Sequence, residues 1–112
     1  MCGLSAIINK EPFPITSELV SAMSDKIIHR GPDDFGILTA NQIGFGFRRL
    51  SILDLSKHGH QPMVDGMNNV VVFNGEIFNY IELRNQLRAE GEKFKTETDT
   101  EVILAAYRKW GI

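Results

Sequence analysis

The stretch that decides the predicted fold is FGILTANQIGFGFRR, residues 35–49. Two runs rich in β-branched and aromatic residues, Phe35 to Ala40 and Ile43 to Arg49, flank the polar pair Asn41-Gln42. Such a pair between two strand-like runs predicts a β-hairpin.

Two adjacent arginines end the second strand of this hairpin. Side chains alternate between the two faces of a strand, so Arg49 shares a face with the apolar residues and Arg48 shares the face of Gly44 and Gly46. An arginine beside apolar side chains needs an anionic partner, which a substrate carboxylate could supply. We therefore predict that Arg49 contacts substrate and that Arg48 is solvated, although a β-bulge would exchange the two positions.

Further strands are predicted on both sides of the hairpin. Leu4 to Asn9 is predicted as a buried strand, and apolar spacing predicts a helix over about 16–28. The continuous apolar run Val70 to Phe73 is typical of a strand covered on both faces. It ends at the turn dipeptide Asn74-Gly75.

Two more helices complete the pattern. One is predicted from Tyr80 to Gly91, and the other begins at a capping box formed by Thr98 and Glu101. These elements predict an α+β or α/β fold, and 112 residues suffice for one domain at most. Because the last helix has no following strand to pack beside, we interpret residues 1–112 as the N-terminal portion of a larger domain.

Composition excludes several classes of protein. The net charge of -2 gives no electrostatic reason to expect nucleic acid or an anionic membrane surface. No apolar run approaches the roughly 18–20 residues that span a bilayer, and the first residues do not resemble a secretory signal. A single cysteine excludes an internal disulfide framework and a multi-thiolate zinc site. We expect a soluble cytoplasmic protein.

The single cysteine, Cys2, is the first candidate for chemistry. Removal of Met1 would make Cys2 the N-terminal residue, so that a thiol and a free α-amine lie on one residue. The amine has a reference pKa of about 7.7–8.0 and the thiol about 8.5, so the amine can accept the thiol proton near neutral pH. Two alternatives remain, a buried structural cysteine and a redox thiol, although no resolving cysteine exists.

Two other positions complete a candidate site. Asn74 and Gly75 follow a buried strand, where a side-chain amide and a backbone N–H could stabilise an oxyanion; the simpler alternative is a plain tight turn. Asp99 could accept a substrate ammonium, or it could serve only the helix dipole. Cys2, Arg49 and Asp99 together suit a zwitterionic α-amino acid with an attackable carbonyl, and glutamine fits that description.

Six motifs resemble those of class II glutamine amidotransferases, in the same order along the chain. The closest resemblance is to the glutaminase domain of glutamine-dependent asparagine synthetases, and His-Arg-Gly-Pro-Asp points to that branch. The motifs are Met1-Cys2-Gly3, His29-Arg30-Gly31-Pro32-Asp33, Arg49-Leu50-Ser51-Ile52-Leu53-Asp54, Gly59-His60-Gln61-Pro62, Phe73-Asn74-Gly75-Glu76-Ile77-Phe78-Asn79-Tyr80 and Thr98-Asp99-Thr100-Glu101.

The resemblance implies an α+β N-terminal nucleophile hydrolase, an αββα sandwich of which only the N-terminal part is present. It implies that Cys2 attacks the glutamine amide to give a thioester and ammonia, with Asn74 and Gly75 as the oxyanion hole. Arg49 would hold the α-carboxylate and Asp99 the α-ammonium. Backbone groups around four further residues would line the glutamine pocket: Leu50, Ile52, Leu53 and Glu76. The loop from His29 to Asp33 would wall the site, and His58 and His60 would be loop residues.

The resemblance also implies a second domain that this sequence does not contain. Family members continue into a synthetase domain that activates aspartate with ATP and magnesium, and its Ser-Gly-Gly-x-Asp-Ser loop is absent here. We therefore expect no cofactor and no metal on residues 1–112, L-glutamine and the synthetase domain as partners, and a full-length protein that could form a homodimer. Two alternatives stay open: an amidotransferase acting on another acceptor, and a truncated, noncatalytic glutamine-binding fragment.

Overall fold

Five strands and three helices make up the computed structural model, which describes residues 2–51 and 57–111. Two short 3-10 turns, Ile28–Arg30 and Lys57–Gly59, lie between them. The elements in chain order are β1 (Gly3–Ile8), α1 (Ser17–Asp25), β2 (Asp34–Ala40), β3 (Ile43–Arg49), β4 (Met63–Val64), β5 (Val70–Val71), α2 (Tyr80–Ala89) and α3 (Asp99–Trp110).

The predicted hairpin is confirmed as the centre of the larger sheet. β2 and β3 pair antiparallel, with Ala40 opposite Ile43 and Asn41 at φ 51 in the turn. β1 pairs antiparallel with the other edge of β3, which gives the strand order β1-β3-β2. Gly3 lies opposite Arg48, so the residue before β1 comes level with Arg49 at the end of β3.

Helix α1 covers the glycine face of this sheet. Its N-cap Thr16 accepts a hydrogen bond from the backbone N–H of Leu19, and its residues Val20 and Ser24 are buried. A methyl group at Gly46 would lie 2.0 Å from Ser24 Oγ, so the glycines of β3 give the helix room to approach the strand. The glycine face of β3 is therefore the face on which α1 packs.

Arg48 is on this packed face, so the prediction that it is solvated is wrong. The side chain lies under the C-terminal end of α1 and is only 7% exposed. Its Nε donates to the carbonyl of Ser24 at 3.3 Å, its Nη2 bonds the Asp25 carboxylate, and its guanidinium lies 4.7 Å from the Phe35 ring centre. The predicted alternation was right, but the glycine face is covered by a helix and not by water.

The opposite face of the larger sheet is covered around Phe47, which is 2% exposed, and open towards Ile8. Leu4 is 44% exposed and Ile8 is 70% exposed, so the strand predicted from Leu4 to Asn9 is buried on one face only. The smaller sheet is also less covered than predicted. Only Val70 and Val71 of the apolar run pair with β4, and both are half-buried, so coverage on both faces is not found there.

Helices α2 and α3 pack against each other at the C-terminal end of the chain. Their shared core contains Leu87, Val102 and Ala105. The capping prediction is half confirmed: Thr98 accepts from the backbone N–H of Glu101, but the Glu101 carboxylate accepts from the backbone N–H groups of Lys95 and Thr96.

Taken together, the described residues form an α+β arrangement with antiparallel sheets, as predicted. Gly91 has a φ of 99° just after α2, and Gly111 has a φ of 76° just after α3, as expected for residues that end helices. Within residues 2–51 and 57–111, no helix is long and apolar enough to cross a membrane.

Candidate active site

Cys2 is held at the end of the larger sheet by contacts from three separate segments. Its sulfur lies 3.4 Å from the backbone nitrogen of Leu50 and 3.8 Å from the Leu50 carbonyl oxygen. Its own carbonyl accepts from Arg30 Nε at 3.2 Å and from Asn74 Nδ2 at 3.1 Å. Leu50, predicted to act through its backbone, thus contacts the candidate nucleophile through both of its backbone polar groups.

A small cleft of about 170 Å³ opens beside Cys2 and collects the predicted polar residues. Five predicted site residues line it, although they are far apart in sequence: Cys2, Arg49, Asn74, Gly75 and Asp99. The cleft is smaller than the roughly 300–1,000 Å³ typical of sites for drug-sized ligands, so it suits a molecule of amino-acid size. Its other lining residues are Phe47, Gly59, Gln61, Phe73, Thr98 and Thr100.

Arg49 reaches this cleft from the end of β3, on the face away from α1. Its guanidinium lies directly over Gly59, where a methyl group would be 2.5 Å from Nη2, so a side chain at position 59 would displace it. The preceding loop anchors this end of the strand. Asp33 donates its backbone N–H to the Arg49 carbonyl at 3.0 Å, and its carboxylate accepts from the backbone N–H of Ser51 at 2.7 Å.

Asn74 and Gly75 do not form the tight turn that their sequence favoured. A two-residue Asn-Gly hairpin turn of type I′ requires positive φ at both residues, and neither has it. Asn74 instead directs its side-chain amide to the Cys2 carbonyl. This contact joins residues 72 positions apart and places the amide beside the thiol-bearing residue.

Asp99 is the first residue of α3, and its carboxylate faces the segment that follows Gly75. Oδ2 accepts from the backbone N–H of Ile77 at 3.0 Å. A second, larger cleft of about 460 Å³ shares Gly75 and Asp99 and is also lined by Glu76. Ile52 and Leu53, the other residues predicted to line the pocket, lie outside the described residues.

Two residues of this region were given no role by the sequence analysis. Arg30 lies in the predicted wall loop and bonds the Cys2 carbonyl. Gln61 is 6% exposed and forms side-chain hydrogen bonds to Phe73 and Thr100. Both belong to quoted motifs, but no local periodicity indicates what their side chains contact.

The charges around the cleft are mixed. Arg30 and Arg49 supply positive charge and Asp99 supplies negative charge, which is the complement of a zwitterion. His60 Nδ1 lies 2.9 Å from an Asp34 carboxylate oxygen. Across residues 2–51 and 57–111, no group of three or more His, Cys, Asp or Glu side chains is arranged to hold a metal ion.

Comparison with known proteins gives one consistent result. The family model described as a glutamine amidotransferase domain matches residues 1–112. The chain is 46% identical over 98% of its length to asparagine synthetase [glutamine-hydrolyzing] 1 of Bacillus subtilis. It is 43% identical over 99% of its length to a putative asparagine synthetase [glutamine-hydrolyzing] 2 of Methanocaldococcus jannaschii.

A relative with a different name also matches along the whole chain. This protein, amidase chry2 of Gibberella zeae, is 35% identical over 100% of the chain. The match spans only 18% of the Bacillus protein, 24% of the Methanocaldococcus protein and 18% of the Gibberella protein. The chain therefore corresponds to about a fifth of the length of these relatives.

Proposed function

Because this chain belongs to the family of glutamine amidotransferase domains, we propose that it hydrolyses the side-chain amide of L-glutamine and supplies the ammonia to a synthetase domain. One observation carries the proposal: a thiol, a guanidinium, a side-chain amide and a carboxylate line one small cleft. These groups come from Cys2, Arg49, Asn74 and Asp99. Each matches one part of a zwitterionic amino acid that carries an amide carbonyl.

The first step needs Cys2 as the N-terminal residue. Once Met1 is removed, the free α-amine takes the thiol proton and Sγ attacks the amide carbon of glutamine. The carbonyl π electrons move to oxygen, and the resulting oxyanion accepts from Asn74 Nδ2 and the backbone N–H of Gly75. An amide nitrogen carries two hydrogens, so Asn74 can bond the Cys2 carbonyl and still donate to the oxyanion.

Ammonia leaves when the tetrahedral intermediate collapses. The carbon–nitrogen bond breaks while the α-ammonium of Cys2 returns its proton to the departing nitrogen, which leaves a γ-glutamyl thioester. Water, with the same amine as base, then cleaves the carbon–sulfur bond and releases glutamate. The thiol and the amine are restored, so the cycle consumes one water and one glutamine for each ammonia.

The substrate is held by charges at the two ends of the cleft. Arg49 binds the α-carboxylate in a forked, charge-assisted contact. Asp99 binds the α-ammonium. A carboxylate can accept about four hydrogen bonds, and among the described residues Asp99 accepts one, from the backbone N–H of Ile77 to Oδ2. Backbone groups around Leu50, Ile52, Leu53 and Glu76 complete the pocket.

The full-length protein completes both the fold and the reaction. We propose that further residues cover the exposed part of the larger sheet and complete an αββα N-terminal nucleophile hydrolase sandwich. The synthetase domain, which would use ATP and magnesium, amidates aspartate in the cytoplasm. A second candidate is another carboxylate acceptor, because the relative named as an amidase matches the same residues.

The test is ammonia release from glutamine by the full-length protein. Wild-type protein should release ammonia and Cys2→Ala should not, while both should use added free ammonia for amidation. Intact-mass measurement should show that Met1 is missing and that a glutamine-mimicking electrophile adds once, at Cys2. A protein that keeps Met1 and is still active would contradict the proposed base. Glutamine binding without any covalent adduct would support the noncatalytic alternative.

A further inference from the structure

We propose that Gln61 is a positioning residue for glutamine hydrolysis, which holds the Asn74–Gly75 segment where the oxyanion forms. This inference rests on the proposed function. Gln61 does not act on the substrate itself, because both hydrogens of Nε2 are already donated within the protein, to the Phe73 carbonyl at 3.0 Å and to Thr100 Oγ1 at 3.4 Å. Its effect must therefore pass through the residues that it bonds.

The main contact is a two-point clamp on the backbone of Phe73. Gln61 Oε1 accepts the Phe73 N–H at 2.6 Å while Nε2 donates to the Phe73 carbonyl. One side chain therefore pairs with both polar groups of a single residue, as a neighbouring strand would. Gln61 is 6% exposed, so water cannot readily replace these bonds if the side chain is lost.

The clamp lies where the backbone pairing of the smaller sheet has ended. β4 and β5 pair at Met63 opposite Val71, and the ladder does not extend beyond that pair. If the same antiparallel register continued, Gln61, two residues before Met63, would lie opposite Phe73, two residues after Val71. The glutamine side chain therefore takes the place of the missing backbone pair and extends the ordered segment to the residue just before Asn74.

Phe73 passes this constraint to both candidate oxyanion donors. Asn74 is bonded to it covalently, and the ring of Phe73 lies against Gly75, where a methyl group would be 2.8 Å from Cζ. The weaker contact from Gln61 to Thr100 joins the same segment to the first turn of α3, beside Asp99. Gln61 thus connects the oxyanion donors to the helix that carries the ammonium acceptor, and its stronger bonds go to the donor side.

A residue that positions oxyanion donors should affect the rate of chemistry more than substrate binding. The oxyanion exists only after attack, so contacts to it are stronger in the transition state than in the ground state. Small misplacements of catalytic groups can cost about 100-fold in rate. We expect Gln61→Met, which keeps the length but removes the clamp, to lower kcat for glutamine hydrolysis by about 10- to 100-fold and to change KM less than about threefold.

The experiment compares three variants of the full-length protein for kcat and KM with glutamine, amidation with added ammonia, and thermal unfolding. Gln61→Glu keeps an acceptor for the Phe73 N–H but places a carboxylate oxygen against the Phe73 carbonyl, so it should also lower kcat. Gln42→Met is the matched control, because the Gln42 amide also bonds backbone groups, the carbonyls of Asn9 and Glu11, but at the far end of the sheet. It should leave kcat unchanged, and all three should keep the ammonia-dependent rate.

The outcomes separate this inference from the proposed function. A wild-type protein without Cys2-dependent ammonia release would overturn the proposed function. If wild type is active and the Gln61 variants match it, or raise only KM, or lose kcat no more than Gln42→Met does, the inference alone is wrong. If Gln61→Met does not fold, as its thermal unfolding would show, the kcat of Gln61→Glu decides by the same criteria.

Discussion

Arg48 and Arg49 are neighbours in sequence, but they lie on opposite faces of β3. We expect Arg48 to stabilise the fold and Arg49 to bind substrate. Arg48 is buried under the end of α1 and bonds the Ser24 carbonyl and Asp25. Arg49 lines the cleft beside Cys2. Because each guanidinium uses its planar fork in a different setting, replacing each by lysine should give a different defect.

At the residue scale, Arg49→Lys should raise the KM for glutamine. A charge-assisted hydrogen bond contributes about 1.5–3 kcal/mol, so losing the forked contact corresponds to roughly a 10- to 150-fold higher KM. Amidation with added ammonia should be unchanged, since only the glutamine site is altered. Steady-state kinetics on the full-length protein with each nitrogen source measure both quantities.

Arg48→Lys is the comparison for that experiment, with stability as its readout. Lysine cannot replace the bond to Ser24, the bond to Asp25 and the contact with the Phe35 ring at the same time. The unfolding midpoint should fall, with a loss of about 1–3 kcal/mol in the free energy of unfolding, while the KM for glutamine stays the same. An equal rise in KM for both variants would show that the two faces of β3 do not separate these roles.

At the scale of elements, a buried charge cluster joins the β4–β5 hairpin to α3. Asp65 lies in the hairpin connection with a side chain that is 4% exposed, and its carboxylate accepts from Arg108 Nη1 at 3.0 Å. Arg108 also bonds Glu92 through Nε and Nη2. Burial by itself raises the pKa of Asp65, but hydrogen bonds from Asn69, Arg108 and the backbone N–H of Met67 outweigh it and lower the pKa to about 2.

This lowered pKa predicts a loss of stability in acid. An unfolded aspartate has a pKa of about 3.9, so between about pH 5 and pH 2 the unfolded chain binds more protons than the folded one. The contribution of Asp65 is therefore fully present above about pH 5 and is lost as the pH falls towards 2. Urea denaturation at a series of pH values should show this decrease.

Asp65→Asn tests the source of the acid sensitivity. The asparagine cannot ionise, so the variant should be less stable near pH 6 and its stability should depend less on pH below 5. Because Asn69 and Arg108 would lose their anionic acceptor, part of the hairpin connection should also become less ordered. An unchanged pH dependence in Asp65→Asn would show that another group causes the loss.

At the scale of the whole molecule, the exposed part of the larger sheet indicates that residues 1–112 need further protein to be stable. Leu4, Ile8 and Ile43 are exposed on this face at 44%, 70% and 37%. Apolar surface of this kind usually marks an interface or leads to aggregation. The relatives are about four to six times longer than the part that this chain matches, so they contain residues that could cover it.

We therefore expect the polypeptide Met1–Ile112, expressed alone, to be a poor glutaminase. Catalytic groups must be held to within about 0.5 Å, and Cys2 and Asn74 come from two different strand ends. Size-exclusion chromatography should show association or aggregation, and ammonia release should be far below that of a polypeptide extended to the end of the domain. Full turnover by the 112-residue polypeptide would instead identify it as a minimal glutaminase.

The parts of the structure that sequence alone determined are those set by local periodicity and local backbone chemistry. The hairpin over residues 34–49 follows from its alternating pattern, and the ends of α2 and α3 follow from Gly91 and Gly111. The sequence motifs also predicted Cys2, Arg49 and Asp99 as site residues. Their functional groups together suit one substrate, and this inference does not depend on how the chain folds between them.

Tertiary structure alone decided which face of the sheet is covered and which side chains meet. Arg48 was predicted to be solvated on the glycine face of β3. The glycines instead leave room for α1 to pack there, and α1 buries Arg48. The Asn74 amide meets the Cys2 carbonyl across 72 positions, and Gln61 meets Phe73 where backbone pairing has stopped. Such contacts depend on how distant elements pack, and no pattern within one element encodes the identity of its neighbour.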